Sequence, residues 1–174
     1  MVTRLRCLKL MAVIFGTVLG VAPVAPAAAE IAGEAQGAKP AVECNSHRED
    51  DLASFDIVSA KKAGGALTVE FLLTLRANVA YKTNPYNWAD CPTTGTDSNG
   101  YVWELASTEP NGTTELRPGM KLRGKLKFRR ATGDVSADSF ALTICRGFGP
   151  AEGPWSYENV TYRFDAVPAD CQTH

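Results

Sequence analysis

From Ala53 onward apolar and polar residues alternate with period two, the pattern of strands that bury one face and wet the other. In "ALTVEFLLTLRANV", Leu67, Val69, Phe71, Leu73 and Leu75 share a face, while Thr68, Glu70, Thr74 and Arg76 lie opposite. Upstream, "SFDIVSA" places Phe55 and Ile57 on one side of a shorter strand, and Lys61 to Gly65 supplies the turn between the two. The same grammar recurs in "YVWELAS", where Tyr101, Trp103 and Leu105 alternate with Val102, Glu104 and Ala106. It predicts burial of Phe140, Leu142 and Ile144 in "SFALTIC", and of Val160, Tyr162, Phe164 and Ala166 in "NVTYRFDAV". Segments rich in Gly, Pro, Asn and Asp ("TGTDSNG", "EPNG", "RPG", "GFGPAEGP") separate the strands. The expectation is an all-β chain: one immunoglobulin-like β-sandwich of about 6–8 antiparallel strands over residues 51–174, without repeats or a second domain.

The N-terminus reads differently. Arg4, Arg6 and Lys9 precede an apolar run from Leu10 to Ala22, Pro23 and Pro26 break it, and Ala27–Ala29 offers a cleavage site. This is the layout of a secretory signal peptide over 1–29. The run is shorter than the roughly 20 apolar residues of a membrane span, so no membrane insertion is expected and the chain is placed outside the cell. Residues 30–50, beginning "EIAGEAQGAKPAVE", lack periodicity and read as a flexible leader.

Export changes the meaning of charge and cysteine. Without Arg4, Arg6 and Lys9 the 18 basic residues fall to 15 against 19 acidic ones, a net charge of −4. Nucleic acid is therefore excluded as a general partner, since its binders are basic as domains. Cys7 leaves with the signal peptide, and Cys44, Cys91, Cys145 and Cys171 imply two disulfides with three possible connectivities. Cys44 and Cys171 bracket the domain, and Cys91 lies in the long segment "YKTNPYNWADCPTTGTDSNG". Cys145 sits on the parity opposite Phe140, Leu142 and Ile144, suited to pin a covering loop. The expected pairs are Cys44–Cys171 and Cys91–Cys145. An alternative uses both C-x-x-H elements, "CNSH" and "CQTH": Cys44, His47, Cys171 and His174 as a tetrahedral zinc site. Otherwise no cofactor is implied.

The most basic stretch is "ELRPGMKLRGKLKFRR", Glu115 to Arg130. By parity Leu122, Gly124, Leu126 and Phe128 face inward, and Lys121, Arg123, Lys125, Lys127 and Arg129 form a cationic row. With same-face neighbours 6.6–6.8 Å apart the row is about 27 Å long. It either protects an edge strand, with Glu70 or Glu104 answering part of it, or grips an anionic partner. Leu116, Pro118, Gly119, Gly124, Leu126 and Phe128 match the segment L-x-P-G-x-x-x-x-G-x-L-x-F. It resembles that of small secreted immunoglobulin-like domains of Gram-positive bacteria and actinobacteria, the family of mycobacterial secreted immunogenic antigen-like proteins. The resemblance implies a β-sandwich with an exported, non-enzymatic role, and brings no catalytic residues.

Catalysis is poorly provided for. The two histidines, His47 and His174, lie near the ends of the chain, and neither stands in a nucleophile motif. Asp90, Asp97 and Glu104 are read as solvated loop acids, and "REDD" at Arg48–Asp51 as a solvated acidic face. Tyr86, Trp88, Trp155 and Tyr157 are candidates for stacking on a sugar or anchoring a protein. The leading expectation is a binding domain for a protein or cell-surface component. The alternatives are a polysaccharide-binding module that uses those aromatics and the basic face, and a small extracellular hydrolase. No particular oligomeric state is implied.

Overall fold

The computed structural model describes residues 42–44, 46–85, 87, 89–130, 136–154 and 156–173. The expected signal peptide and most of the expected leader lie outside these residues, as do Tyr86, Trp88, Trp155 and His174.

The described chain is all-β, an immunoglobulin-like sandwich of antiparallel strands. Its eleven strands are β1 (Ser46–Glu49), β2 (Ala53–Ala63), β3 (Ala66–Leu75), β4 (Tyr81–Pro85), β5 (Thr94–Asp97), β6 (Val102–Glu109), β7 (Thr114–Leu116), β8 (Lys121–Arg129), β9 (Ser139–Pro150), β10 (Glu158–Pro168) and β11 (Asp170–Gln172). This exceeds the expected 6–8 because β1, β4, β5, β7 and β11 are short and mostly polar, leaving too few apolar repeats to show a period. β1 also begins ahead of the expected boundary at residue 51.

One layer runs β2–β3–β8–β6, with β1 and β11 sharing the outer edge of β2. β5 carries the ladder from β6 to β9, which pairs with β5 and then β4 along one edge and with β10 along the other; β7 pairs with β4. The segment from Tyr81 to Gly100 therefore holds two strands of its own. Phe55 stacks on Phe71 of the neighbouring β3 at 4.8 Å and reaches across the layers to Tyr162 of β10 at 5.1 Å, and Trp103 meets Phe140 edge-on at 5.2 Å.

Parity predicts burial where strands are regular and fails where they bulge. All five odd residues of β3 are buried, as are Phe140, Leu142 and Ile144. In β10 a bulge between Phe164 and Val167 adds a residue, so Val167 is buried and Ala166 faces solvent. Tyr101 precedes β6 and is half-exposed, with Arg130 over its ring at 3.5 Å.

Both expected disulfides are present, Cys44–Cys171 and Cys91–Cys145. The first belongs to the main core; the second is buried apart from it, against the β4–β5 connection, as the outward parity of Cys145 requires. The Cys44–Cys171 bond consumes both thiols of the zinc alternative, and His47 turns instead to Asp56 and Glu49.

The residues that match the short motif each do a structural job. Leu116, Leu126 and Phe128 are buried. Gly119 takes a φ of 76°, and its amide donates to Leu75 O while Leu75 N donates to Met120 O, tying the turn to the end of β3. Gly124 is enforced by space: a Cβ there would lie 2.3 Å from Phe71 Cζ and 2.4 Å from the Glu109 carbonyl oxygen. Phe71 is fully buried and the Glu109 oxygen is backbone, so neither yields easily. Gly124→Ala is expected to cost about 3 kcal/mol, the upper end for overpacking. Urea titration measures it, and a loss below about 1 kcal/mol would mean that Phe71 and the Glu109 carbonyl give way to the added methyl.

Candidate functional site

The cationic row lies on β8, between β3 and β6. This corrects the edge-strand reading for Lys125–Arg129, where both sides of β8 are hydrogen-bonded; among the described residues Lys121–Gly124 pair with β3 alone and leave an open edge on the β6 side. The faces are as parity requires, with Lys121, Arg123, Lys125, Lys127 and Arg129 exposed, Gly124, Leu126 and Phe128 buried, and Leu122 half-buried.

The register decides which charges are answered. Lys125 stands between Glu70 on β3 and Glu109 on β6, with its Nζ 2.9 Å from Glu70. Hydrogen bonding to Glu70 holds its pKa above the ordinary value. Lys127 reaches Glu109 at 3.6 Å, and Arg129 is opposite Glu104. Lys121 and Arg123 face Thr74 and Leu72, and β6 offers them no register partner. Among the described residues neither has an ion pair.

Arg123 stands where two shallow grooves meet. One, of about 360 Å³, also takes in Ser59, Thr68, Glu70, Lys125 and Gln172; the other, of about 470 Å³, takes in His47, Asp56 and Leu72. Val58, Arg123 and Thr173 line both. A row of cross-strand pairs, His47–Asp56–Leu72–Arg123, therefore crosses four strands, with an imidazole–carboxylate pair at one end and an unanswered guanidinium at the other.

His47 is committed to carboxylates. Its Nδ1 lies 2.5 Å from Asp56 and its Nε2 3.5 Å from Glu49, which also binds Arg76. The hydrogen bond with Asp56 is the chief cause of its raised pKa. The Ser46 hydroxyl donates to Cys44 O at 2.6 Å. Base and hydroxyl are thus both occupied and do not form a nucleophile pair.

The loop acids separate in role. Asp97 is buried, which alone would raise its pKa, but donors from Trp103, Tyr101 and Asn99 and the Arg130 charge outweigh burial and lower it. This corrects its reading as a solvated loop acid. In "REDD", Asp50 Oδ1 accepts from the amides of Leu52 and Ala53 at 2.7 and 2.8 Å, closing the turn into β2. Arg146 is the surprise: it takes an inward position on β9, 1% exposed, with its guanidinium 4.9 Å from the Phe71 ring centroid. Burial pushes its pKa down to about 10, so it remains charged at neutral pH. The even parity it shares with Ile144 and Phe148 was the available signal, masked by its residue type.

Of the candidate aromatics only Tyr157 is described. It is half-buried, with Cδ1 and Cε1 within 3.4 Å of a Cβ built on Gly149, so its ring packs down on β9. Among the described residues no group of three or more His, Cys, Asp or Glu could hold a metal, and no helix is long and apolar enough to cross a membrane.

No protein-family model matches the chain, and no curated protein matches it in sequence. Among solved structures it is similar to self-complemented MyfA, the major subunit of Myf fimbriae from Yersinia enterocolitica, in complex with galactose. The identity is 15% over 70% of this chain and 96% of that one, with a TM-score of 0.31. A second crystal structure of self-complemented MyfA gives 17% identity over 70% and 94%, with a TM-score of 0.30. Likeness at that level leaves this chain's function to be argued from its own residues.

Proposed function

We propose that this chain is an exported, non-enzymatic binding domain that recognises a protein or cell-surface component through the outer face of β2, β3 and β8. The observation that carries the reading is the position of the basic row. A cationic strand paired with β3 along its whole length and with β6 along Lys125–Arg129, and answered by acids along that half only, presents a charged surface continuous with β3 and β2. The signal-peptide layout and the two disulfides support export into an oxidising compartment. The commitment of His47 to two carboxylates weighs against a hydrolase. A polysaccharide module resting on Tyr86, Trp88, Trp155 and Tyr157 has less support, because Tyr157 packs against the sheet.

The test is direct binding of the secreted chain to intact surfaces of the producing cells. Lys121→Ser, Arg123→Ser and Lys125→Ser combined should leave the circular dichroism spectrum and cooperative unfolding intact. Affinity should fall about tenfold, the sum of a few exposed charge contacts. Unchanged binding by the folded triple variant removes the basic face from the function. Absence of any binding by the unsubstituted chain removes the binding reading itself.

A further inference from the structure

The charge register of β8 divides the row into two halves with different consequences. Lys125, Lys127 and Arg129 are matched by Glu70, Glu109 and Glu104 across the two neighbouring strands. Those charges have acids beside them, as ion pairs at Lys125 and Lys127 and as a register neighbour at Arg129, and offer a partner less. Lys121 and Arg123 meet a threonine and a leucine instead. Their charge is available, and it sits beside the apolar surface of Leu72 and Val58, both half-buried. Two like charges kept as neighbours on one face, with no acid opposite, destabilise the sheet slightly. Because β6 stops opposite Lys125, this end of β8 is also an open edge, where the two cations discourage pairing with a foreign strand and leave their charge to a partner that brings the counter-charge.

Spacing narrows what that something is. Lys121 and Arg123 are alternate residues of one strand, so their stems leave the sheet about 6.6–6.8 Å apart. An extended peptide places its own alternate side chains at the same interval. Resting on the binding function proposed above, we infer that the Lys121–Arg123 end of β8 receives an extended acidic segment of a protein partner, with carboxylates at alternate positions. Each carboxylate pairs with one cation, and Arg123 offers a planar two-pronged donor to its own. The side chains between the acids point away from the sheet and are not selected. Aromatic platforms of the kind that stack on sugar rings are missing from the described lining of both grooves, which favours a peptide over an anionic glycan. The remainder of the exported chain is acidic by composition, so an acidic segment is repelled elsewhere and directed to this end.

The probes are three defined molecules: a blocked peptide alternating aspartate with threonine, its isomer with all aspartates contiguous, and a uronic-acid oligosaccharide. Each is titrated into the isotopically labelled secreted chain while the amide signals of β3 and β8 and the Arg123 side-chain N–H are followed by NMR. The alternating peptide should shift Leu72, Thr74, Lys121 and Arg123 and bind more tightly than its isomer, and added salt should weaken it. Lys121→Gln with Arg123→Gln should weaken it about tenfold, whereas Lys127→Gln with Arg129→Gln should change it less than about threefold. Equal binding of the two peptides overturns the spacing argument. Tighter binding of the oligosaccharide at the same signals assigns the site to a glycan, and the peptide reading falls. If the secreted chain binds cell surfaces but neither peptide shifts these signals at millimolar concentration, the binding function stands and this inference alone is lost.

Discussion

Replacing Cys44 and Cys171 together with alanine lowers the free energy of unfolding by about 4–5 kcal/mol. The bond joins residues 127 apart in sequence, so it removes much of the freedom of the unfolded chain. It also holds something the rest of the fold holds weakly. Among the described residues β11, three residues long, pairs with the edge of β2, and Val42 joins the sheet through a bridge to Cys171 and the Gln172 amide. Both sulfurs lie in the main core, each residue 2% exposed. The variant should melt on the order of 10–20 °C lower, and amide exchange should rise first in β1 and β11, the elements that share the loosened edge. A penalty below about 1 kcal/mol would show that burial alone holds the two termini.

Asp97 gives the second large effect, and it comes from a residue whose type suggested solvent. Its side chain is fully buried at the end of β5. Oδ1 accepts from the Asn99 and Tyr101 amides at 3.0 Å, Oδ2 accepts from Trp103 Nε1 at 3.0 Å, and Arg130 Nη1 stands 3.9 Å away. Asp97→Ala leaves three donors and a nearly buried guanidinium without their acceptor. The expected cost is about 3–5 kcal/mol, the range for breaking one side of a buried charged network. Trp103 reports it directly, since its indole loses its partner and its emission shifts. Asp97→Asn keeps the shape but offers a single acceptor oxygen, and should lie between. The pH dependence has a definite sign. The folded pKa is depressed, so the contribution is fully present above the ordinary value near 3.9 and is lost as pH falls through the folded value. The gap between the unsubstituted chain and Asp97→Asn should therefore close on acidification. A gap that stays constant down to acid unfolding would show that the carboxylate charge contributes nothing.

Much of this architecture was legible in the chain. The alternation in "ALTVEFLLTL" identified a strand and its buried face without error, and the outward parity of Cys145 separated a loop-pinning disulfide from a core one. The inward Leu122, Gly124, Leu126 and Phe128 against five outward cations were equally plain. These are local properties: a strand turns its side chains by half a revolution per residue whatever lies beside it.

What escaped was non-local. The bulge that exchanged Ala166 for Val167 depends on the partner strand, and periodicity assumes none. Asp97 looks like a turn residue until Trp103, Tyr101, Asn99 and Arg130 close around it. Arg146 takes an inward position because β9 must continue past Ile144 to pair with β4 and β10.

The basic row shows the division most clearly. The sequence alone determined its face, its length and its sign, because those follow from parity and residue type. Only the tertiary structure decided that β8 lies between β3 and β6, that Glu70, Glu104 and Glu109 answer one half, and that Thr74 and Leu72 leave Lys121 and Arg123 open. Cross-strand neighbours are chosen by pairing between segments far apart in the chain. The free energy of that choice resides in the whole sandwich rather than in any one strand.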